Sequence, residues 1–323
     1  MPGRGGHARP AGNAAESGVS AAADARDRAA GRPNASLLHR RGRHERLGVL
    51  CLALPSLLLV FITLVLPVGW LFGLSLLADD GSLTLEHYRK MLEQPSYART
   101  FRTTFEVSVL TTGICVLLGY PLSYFLSQLP RRAANLCMIA VLLPLWTSLL
   151  VRTYAWLVLL QRRGLVNTWA MELGLWNEPV ALVHNLTGTL IGTVHVLLPF
   201  LVLPLYASMM AIDRDYLKAA ANLGAGPVRT FWMVFFPLSL PGLLTGALIV
   251  FILCLGFYVT PAVLGGGKVI MVSSRIANDI EIFFNWGAAS ALGVVLLVLT
   301  FAFMLIASRL LRASAILGHA DPT

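Results

Sequence analysis

The sequence contains several apolar runs that are each long enough to cross a lipid bilayer as a helix. A hydrocarbon core about 30 Å thick requires roughly 20 helical residues. Of the 323 residues, 56% are hydrophobic and only 13% are charged, about half the charged fraction of a typical soluble domain. Because a helix satisfies its own backbone hydrogen bonds within lipid, the sequence predicts an all-α polytopic membrane protein.

We expect six transmembrane helices with short polar connections between them. They lie at about residues 47–77, 104–129, 133–160, 184–212, 237–263 and 288–311. Basic residues concentrate on cytoplasmic connections, and Arg131, Arg132, Lys218 and Arg309 fall on one side in this arrangement. Both termini are therefore expected in the cytoplasm.

Residues 1–46 are rich in Ala, Gly and Arg and show no hydrophobic periodicity. Such a segment buries too little apolar surface to offset the entropy of ordering, so we expect a disordered cytoplasmic tail. The remaining divisions are a first helix with an outer loop (47–103), a core with the five further spans (104–312) and a second cytoplasmic tail (313–323). The net charge of +9 is interpreted as a topology signal and not as a nucleic-acid site.

The sequence contains no pattern typical of an enzyme. The HExxH and GxSxG motifs and clustered Cys and His ligands are all missing. Gly266-Gly267-Lys268 superficially resembles a phosphate loop, but Val269 occupies the position of the magnesium-binding hydroxyl. We therefore expect no catalytic residues, no metal and no cofactor. If the chain is a pump, its energy must come from another subunit or from an ion gradient.

The longest polar interruption in the second half of the chain predicts a compact helical knob at residues 213–236. A first helix over 216–223 should end at Gly224, because glycine readily adopts positive φ. Pro227 suits the first turn of a second helix, which then carries an aromatic face through Phe231 and is expected to end at Pro237. The two short helices form a structure suited to docking in a groove of a partner.

The knob resembles the EAA motif of the permease subunits of ATP-binding-cassette importers. The matching positions are Ala219, Ala220, Gly224, Phe231 and Pro237. The motif's glutamate is replaced by Lys218, which reverses the charge at that position. The resemblance implies that the knob, Lys218 included, couples the membrane helices to a cytoplasmic ATPase, with the small residues permitting close approach and Phe231 anchoring the knob.

Longer segments resemble the spermidine/putrescine permease family within the type I importers. They are PLWTSLLVRTYAW, RRGLVN, GFYVTPAVLGG and NWGAASALGVVLL. The resemblance implies a MetI-like fold in a bacterial inner membrane. It also implies as partners a dimer of ABC ATPase subunits, a second similar permease or a second copy, and an extracytoplasmic solute-binding protein. The implied solute is a polyamine, and an inorganic anion, ferric ion or amino-acid derivative stays open.

The residues that line the translocation path are harder to identify. Candidates are Arg152, Glu106, Tyr258 and Pro261, because each lies in or near an apolar run. Arg152 has the alternative of extending its side chain to the membrane interface. Asp279 and Glu281 are further acidic candidates, and His195 is interpreted as an interhelical hydrogen-bonding residue. The scarcity of ionisable residues in the spans disfavours an ion-coupled carrier, which is kept as an alternative.

Overall fold

The computed structural model describes residues 34–77 and 81–317, with side chains at 53–77 and 81–309. The regular secondary structure of the described part is helical, apart from a single antiparallel bridge between Leu77 and Leu83. The helices are α1 (Asn34–Ser75), α2 (Glu86–Glu93), α3 (Pro95–Gln128), α4 (Arg131–Leu142), α5 (Leu149–Leu159), α6 (Leu165–Glu172), α7 (Leu186–Met210), α8 (Arg214–Asn222), α9 (Pro227–Thr230), α10 (Phe236–Leu255), α11 (Val259–Leu264), α12 (Val272–Glu281) and α13 (Trp286–Leu317).

The chain divides into two units at Gly69–Trp70. In the first unit, α1 begins at Asn34, so residues 34–46 are helical rather than a disordered tail. Residues 1–33 and 318–323 of the two predicted tails lie outside the described residues. Within the part of α1 from Ala53 to Ser75, an 18-residue stretch has a mean hydropathy of 2.5, as expected for the first membrane span.

The second unit is built around three long helices, α3, α7 and α10. Their shared core includes Val107 of α3, Leu201 of α7 and Val250 of α10, all fully buried. A Cβ added at Gly246 would lie only 2.9 Å from the carbonyl oxygen of Leu201. Small residues therefore let α10 and α7 approach closely, as is common between membrane helices.

The predicted third span is broken in the structure. Helices α4 and α5 are separated by a 3₁₀ turn over Leu143–Trp146 and meet at 97°. Pro144 lies inside this turn, where its missing N–H and fixed φ disfavour a continuous α-helix. Because Pro144 interrupts the third apolar run, the sequence alone predicts a break or bend at this residue, and the structure confirms it. Within the described residues, five helices are long and apolar enough to cross a membrane, and the bent pair brings the number to six.

At the end of the bundle away from the knob, α12 and α13 form a hairpin against the beginning of α3. The Thr104 hydroxyl of α3 accepts a 2.8 Å hydrogen bond from the backbone N–H of Val272. Tyr97, Val272 and Leu292 belong to a second hydrophobic cluster at this end. Because Val272 begins α12, this bond fixes the entry of α12 onto the bundle. The knob and the hairpin therefore lie at opposite ends of α3.

Candidate functional site

The first helix of the knob is bounded by local sequence chemistry. The Asp213 side chain caps α8 by accepting a 2.9 Å hydrogen bond from the backbone N–H of Asp215. At the other end Gly224 has φ +83°, and the N–H of Ala225 donates to the carbonyl of Ala220 over 3.0 Å. This left-handed glycine at a helix end is the break that the sequence predicts.

The second helix of the knob does not end at the prolines, and this prediction was wrong. Pro227 opens α9 as expected, but a π-helical turn over Phe231–Phe235 then leads directly into α10. The N–H of Phe236 donates to the carbonyl of Phe231, five residues earlier. A π turn widens the helix just before Pro237, where a proline ring would clash with the carbonyl of the preceding α-helical turn. The knob is therefore continuous with the fifth span, which extends over Pro227–Leu255.

The knob is held to α3 by a group of aromatic rings, which we call the aromatic seat (Tyr120, Tyr124, Phe231 and Phe235). The ring of Phe231 lies 5.2 Å from that of Tyr124 and 6.1 Å from that of Tyr120, both edge-on. Phe235 lies 5.1 Å from Tyr124 and is 5% exposed. The hydroxyls of Tyr120 and Ser239 are hydrogen-bonded at 2.9 Å. Each aromatic pair adds about 0.5–1.5 kcal/mol beyond area burial.

Phe231 was expected to anchor the knob, but the tyrosines that receive it were not identified from the sequence. Tyr120 and Tyr124 are four residues apart, a spacing that places both on one face of a helix. The sequence feature that could have identified them was a pair of tyrosines on one face of a predicted span, close to its cytoplasmic end. The structure shows that Phe231 contacts the second span, α3, through these rings.

The opposite side of the knob presents an exposed surface. Leu223 and Val228 are 89% and 71% exposed, and Ala219 is also exposed whereas Ala220 is half-buried. Lys218 pairs with Asp215 over 2.8 Å, with both side chains largely in solvent. An exposed ion pair of this kind contributes about 0–1 kcal/mol, so Lys218 can exchange this partner for another at little cost.

Three of the four path candidates lie in or directly before two helices, α5 and α11, that the fold brings together. The hydroxyls of Thr153 in α5 and Thr260 in α11 are hydrogen-bonded at 3.2 Å. Arg152 precedes the first of these residues, while Tyr258 and Pro261 flank the second. Pro261 is buried and Tyr258 is partly exposed.

Arg152 carries a polar group that the described part of the chain leaves unsatisfied. Its Nε and Nη1 atoms are buried and have no hydrogen-bond partner among the described residues. On the same helix face, the Trp156 indole donates to Nδ1 of His195 over 3.1 Å. His195 therefore makes the interhelical hydrogen bond that the sequence predicts.

Within the described residues, none of the acidic candidates forms a hydrogen bond or an ion pair with Arg152. Glu106 is exposed on α3, and Glu281 is exposed at the end of α12. Asp279 is buried, and its carboxylate accepts a 3.0 Å hydrogen bond from Nε of Arg275. Burial raises the pKa of Asp279, and the nearby Arg275 guanidinium opposes this shift. Asp279 thus serves an ion pair within α12.

No group of three or more His, Cys, Asp or Glu side chains is placed to hold a metal ion in the part of the chain that the structure describes. The geometry instead combines an exposed surface on the knob with an attachment of the knob to two spans.

Comparison with known proteins identifies the family to which these features correspond. Residues 44–314 match the family described as "binding-protein-dependent transport system inner membrane component". This range covers all six candidate spans and the knob.

Relatives of known assignment match most of the chain. The spermidine/putrescine transport system permease protein PotB of Haemophilus influenzae is 34% identical over 247 residues, which are 75% of this chain and 86% of that protein. PotB of Escherichia coli strain K12 is 31% identical over 256 residues, covering 76% and 93%. A bacterial ABC transporter that imports the acidic polysaccharide alginate has the same fold, with a TM-score of 0.68 at 16% identity over 85% of this chain and 98% of that one.

Proposed function

This chain belongs to the binding-protein-dependent transport inner membrane component family, and we propose that the importer of which it is part carries polyamines. The chain is the permease subunit of an ABC importer and not an enzyme. The polyamine assignment is supported by the two PotB relatives, each at least 31% identical over three quarters of the chain.

The observation that carries the coupling role is the attachment of the knob to α3 and α10. The aromatic seat joins Phe231 to two tyrosines of α3 at 5.2 and 6.1 Å, while the π turn joins the same residue to α10. A displacement of the exposed surface by a partner is therefore transmitted to two spans at once. The side of the knob that we expect to meet the ATPase carries Lys218, Ala219, Ala220 and Gly224. Pro237 lies where the knob enters the fifth span.

The expected partners follow from this arrangement. One ATPase subunit docks on the knob, and a second permease, similar or identical, completes the path. A solute-binding protein delivers the polyamine from the outside. With the knob in the cytoplasm, both termini are cytoplasmic and the α12–α13 hairpin faces the binding protein.

Transport then proceeds by alternating access. ATP binding closes the ATPase pair, draws the two knobs together and favours the outward-open state, and hydrolysis restores the inward-open state. Each nucleotide state shifts the equilibrium only to the extent that it binds one conformation better than the other. Arg152, Tyr258 and Pro261 lie on the proposed path, and Glu106 is its acidic candidate in α3.

The test is purification of the full chain from membranes in mild detergent, followed by identification of the bound proteins and an ATPase assay. Recovery of an ABC ATPase and ATP-dependent uptake of spermidine or putrescine in proteoliposomes is the expected result. A chain that purifies alone and transports on an ion gradient would overturn the coupling role. An ATP-driven complex whose binding protein selects another solute would overturn only the polyamine assignment.

A further inference from the structure

A groove on the surface of the second unit has no role in the proposed mechanism. It lies between α3, α10 and α13 and has a volume of about 410 Å³, within the roughly 300–1,000 Å³ range of small-molecule sites. The lining residues are Phe101, Arg102, Phe105, Phe251, Leu255, Leu296, Leu299 and Phe303. All are apolar except one arginine.

Aromatic rings in tilted and edge-on contact form the floor of the groove. Phe251 of α10 lies 4.3 Å from Phe303 of α13 and 5.6 Å from Phe105 of α3. Phe105 and Leu299 are each about half exposed, at 54% and 50%. The groove therefore has a firm apolar base and is open along its outer side.

The groove has a positive charge, Arg102, at one end. It is bounded by three candidate membrane spans. Arg102 lies about 10 Å from the start of α3, at a rise of roughly 1.5 Å per residue. Arg102 is exposed, and within the described residues it has no hydrogen-bond or ion-pair partner. Glu106, one turn further along α3, makes no ion pair with it.

Arg99 adds a second cation on the same side of α3. It lies three residues before Arg102, a spacing that places the two side chains as neighbours on the helix. Arg99 is also exposed and has no partner within the described residues. Guanidinium groups bind phosphate in a bidentate geometry, so the two arginines are suited to a phosphate headgroup.

We propose that this groove binds one phospholipid, with an acyl chain on the aromatic floor and the phosphate against Arg102 and Arg99. The groove extends over residues 296–303 of α13, about 10 Å of helix at 1.5 Å per residue. An alkyl chain fills such a length without leaving any polar group unsatisfied. The site is separate from the knob and does not depend on which solute is transported.

The site is tested by native mass spectrometry of the full chain with its accompanying subunits, after delipidation and titration with phosphatidylglycerol. Leu299→Trp fills the groove and should abolish the retained lipid. Val298→Trp is the matched control, because Val298 is 56% exposed and lies outside the groove lining. Arg102→Gln should weaken phosphatidylglycerol binding about tenfold, consistent with the loss of a charge-assisted hydrogen bond.

A photo-crosslinking amino acid at position 105, in native membranes, distinguishes a lipid from a protein occupant. Crosslinking to phospholipid supports the site. Crosslinking to a protein helix would overturn it, because the groove would then be a subunit interface. Equal lipid loss in Leu299→Trp and Val298→Trp would also overturn it.

Discussion

Two different physical reasons can require a glycine at position 224 of the knob. The backbone reason is its positive φ of +83°. The contact reason is close approach of a docked ATPase, which a side chain would block. A Cβ added at Gly224 meets no heavy atom within 4 Å, so within this chain the cost of a side chain comes from the backbone conformation. We therefore expect the backbone reason to dominate.

Alanine and asparagine at position 224 test this expectation in opposite directions. Left-handed backbone costs an ordinary residue about 1–2 kcal/mol, and asparagine adopts it more readily than alanine does. A penalty of about 1–2 kcal/mol lowers the population of the docking conformation by roughly 5–30-fold. Gly224→Ala should therefore weaken ATPase binding by that factor, and Gly224→Asn should retain most of the binding despite its larger side chain.

Gly226→Ala is the matched control. Gly226 lies two residues away, has an ordinary φ of −68° and also has open space where a Cβ would be added. The assay is the affinity of the ATPase subunit for the detergent-solubilised permease, followed by ATP hydrolysis and uptake in proteoliposomes. Gly226→Ala should bind and transport like the unmodified chain.

The ranking of the two variants decides between the two reasons. If asparagine binds the ATPase more weakly than alanine does, the backbone argument is refuted and position 224 lies against the ATPase surface. If all three variants bind and transport normally, the knob itself is not the coupling element.

Three further substitutions test other parts of the structure. Phe231→Ala removes both ring contacts to α3 and should uncouple ATP hydrolysis from uptake. Trp232→Ala changes an exposed residue without ring contacts to α3 and should leave the two coupled. Equal loss of coupling in both variants would contradict the role of the aromatic seat. Thr104→Val leaves a buried backbone N–H without its acceptor and should lower the free energy of unfolding by about 1–3 kcal/mol, measured by thermal unfolding in detergent, while Thr104→Ser should retain stability. Because the pKa of Asp279 is raised, the folded state holds more protons than the unfolded state above the ordinary aspartate pKa. Stability of the α12–α13 hairpin should therefore fall as pH rises from about 4 through the raised pKa. Asp279→Asn should remove this pH dependence, measured by hydrogen exchange of the hairpin amides after correction for intrinsic exchange rates. An unchanged pH profile in the variant would show that Asp279 is not the group responsible.

Features that depend on neighbouring residues in the chain were predicted from the sequence. The lengths of the apolar runs predicted the spans, because a helix must cross a fixed thickness of lipid. Pro144 predicted the break in the third span, and Gly224 and Pro227 predicted the turn of the knob. In each case the chemistry of one residue restricts its own backbone or that of the preceding turn.

The predictions that were wrong or incomplete depend on helix geometry and burial, which the order of residues alone does not show. Pro237 was expected to end a helix, but the π turn before it lets the helix continue. Asp279 was a path candidate, although Arg275 four residues earlier on the same helix pairs with it. The spacing of these two residues was visible in the sequence, but the burial that makes the pair significant was not.

The sequence by itself determined that the chain crosses a membrane repeatedly and carries a helical knob between two spans, since both follow from local hydrophobicity and backbone preference. Only the tertiary structure decided what holds the knob. Tyr120 and Phe231 are more than 100 positions apart in the chain, and their rings meet because α3, α7 and α10 pack around glycines and buried aliphatic residues. Such packing depends on how three helices fit together in space, and no single segment encodes it.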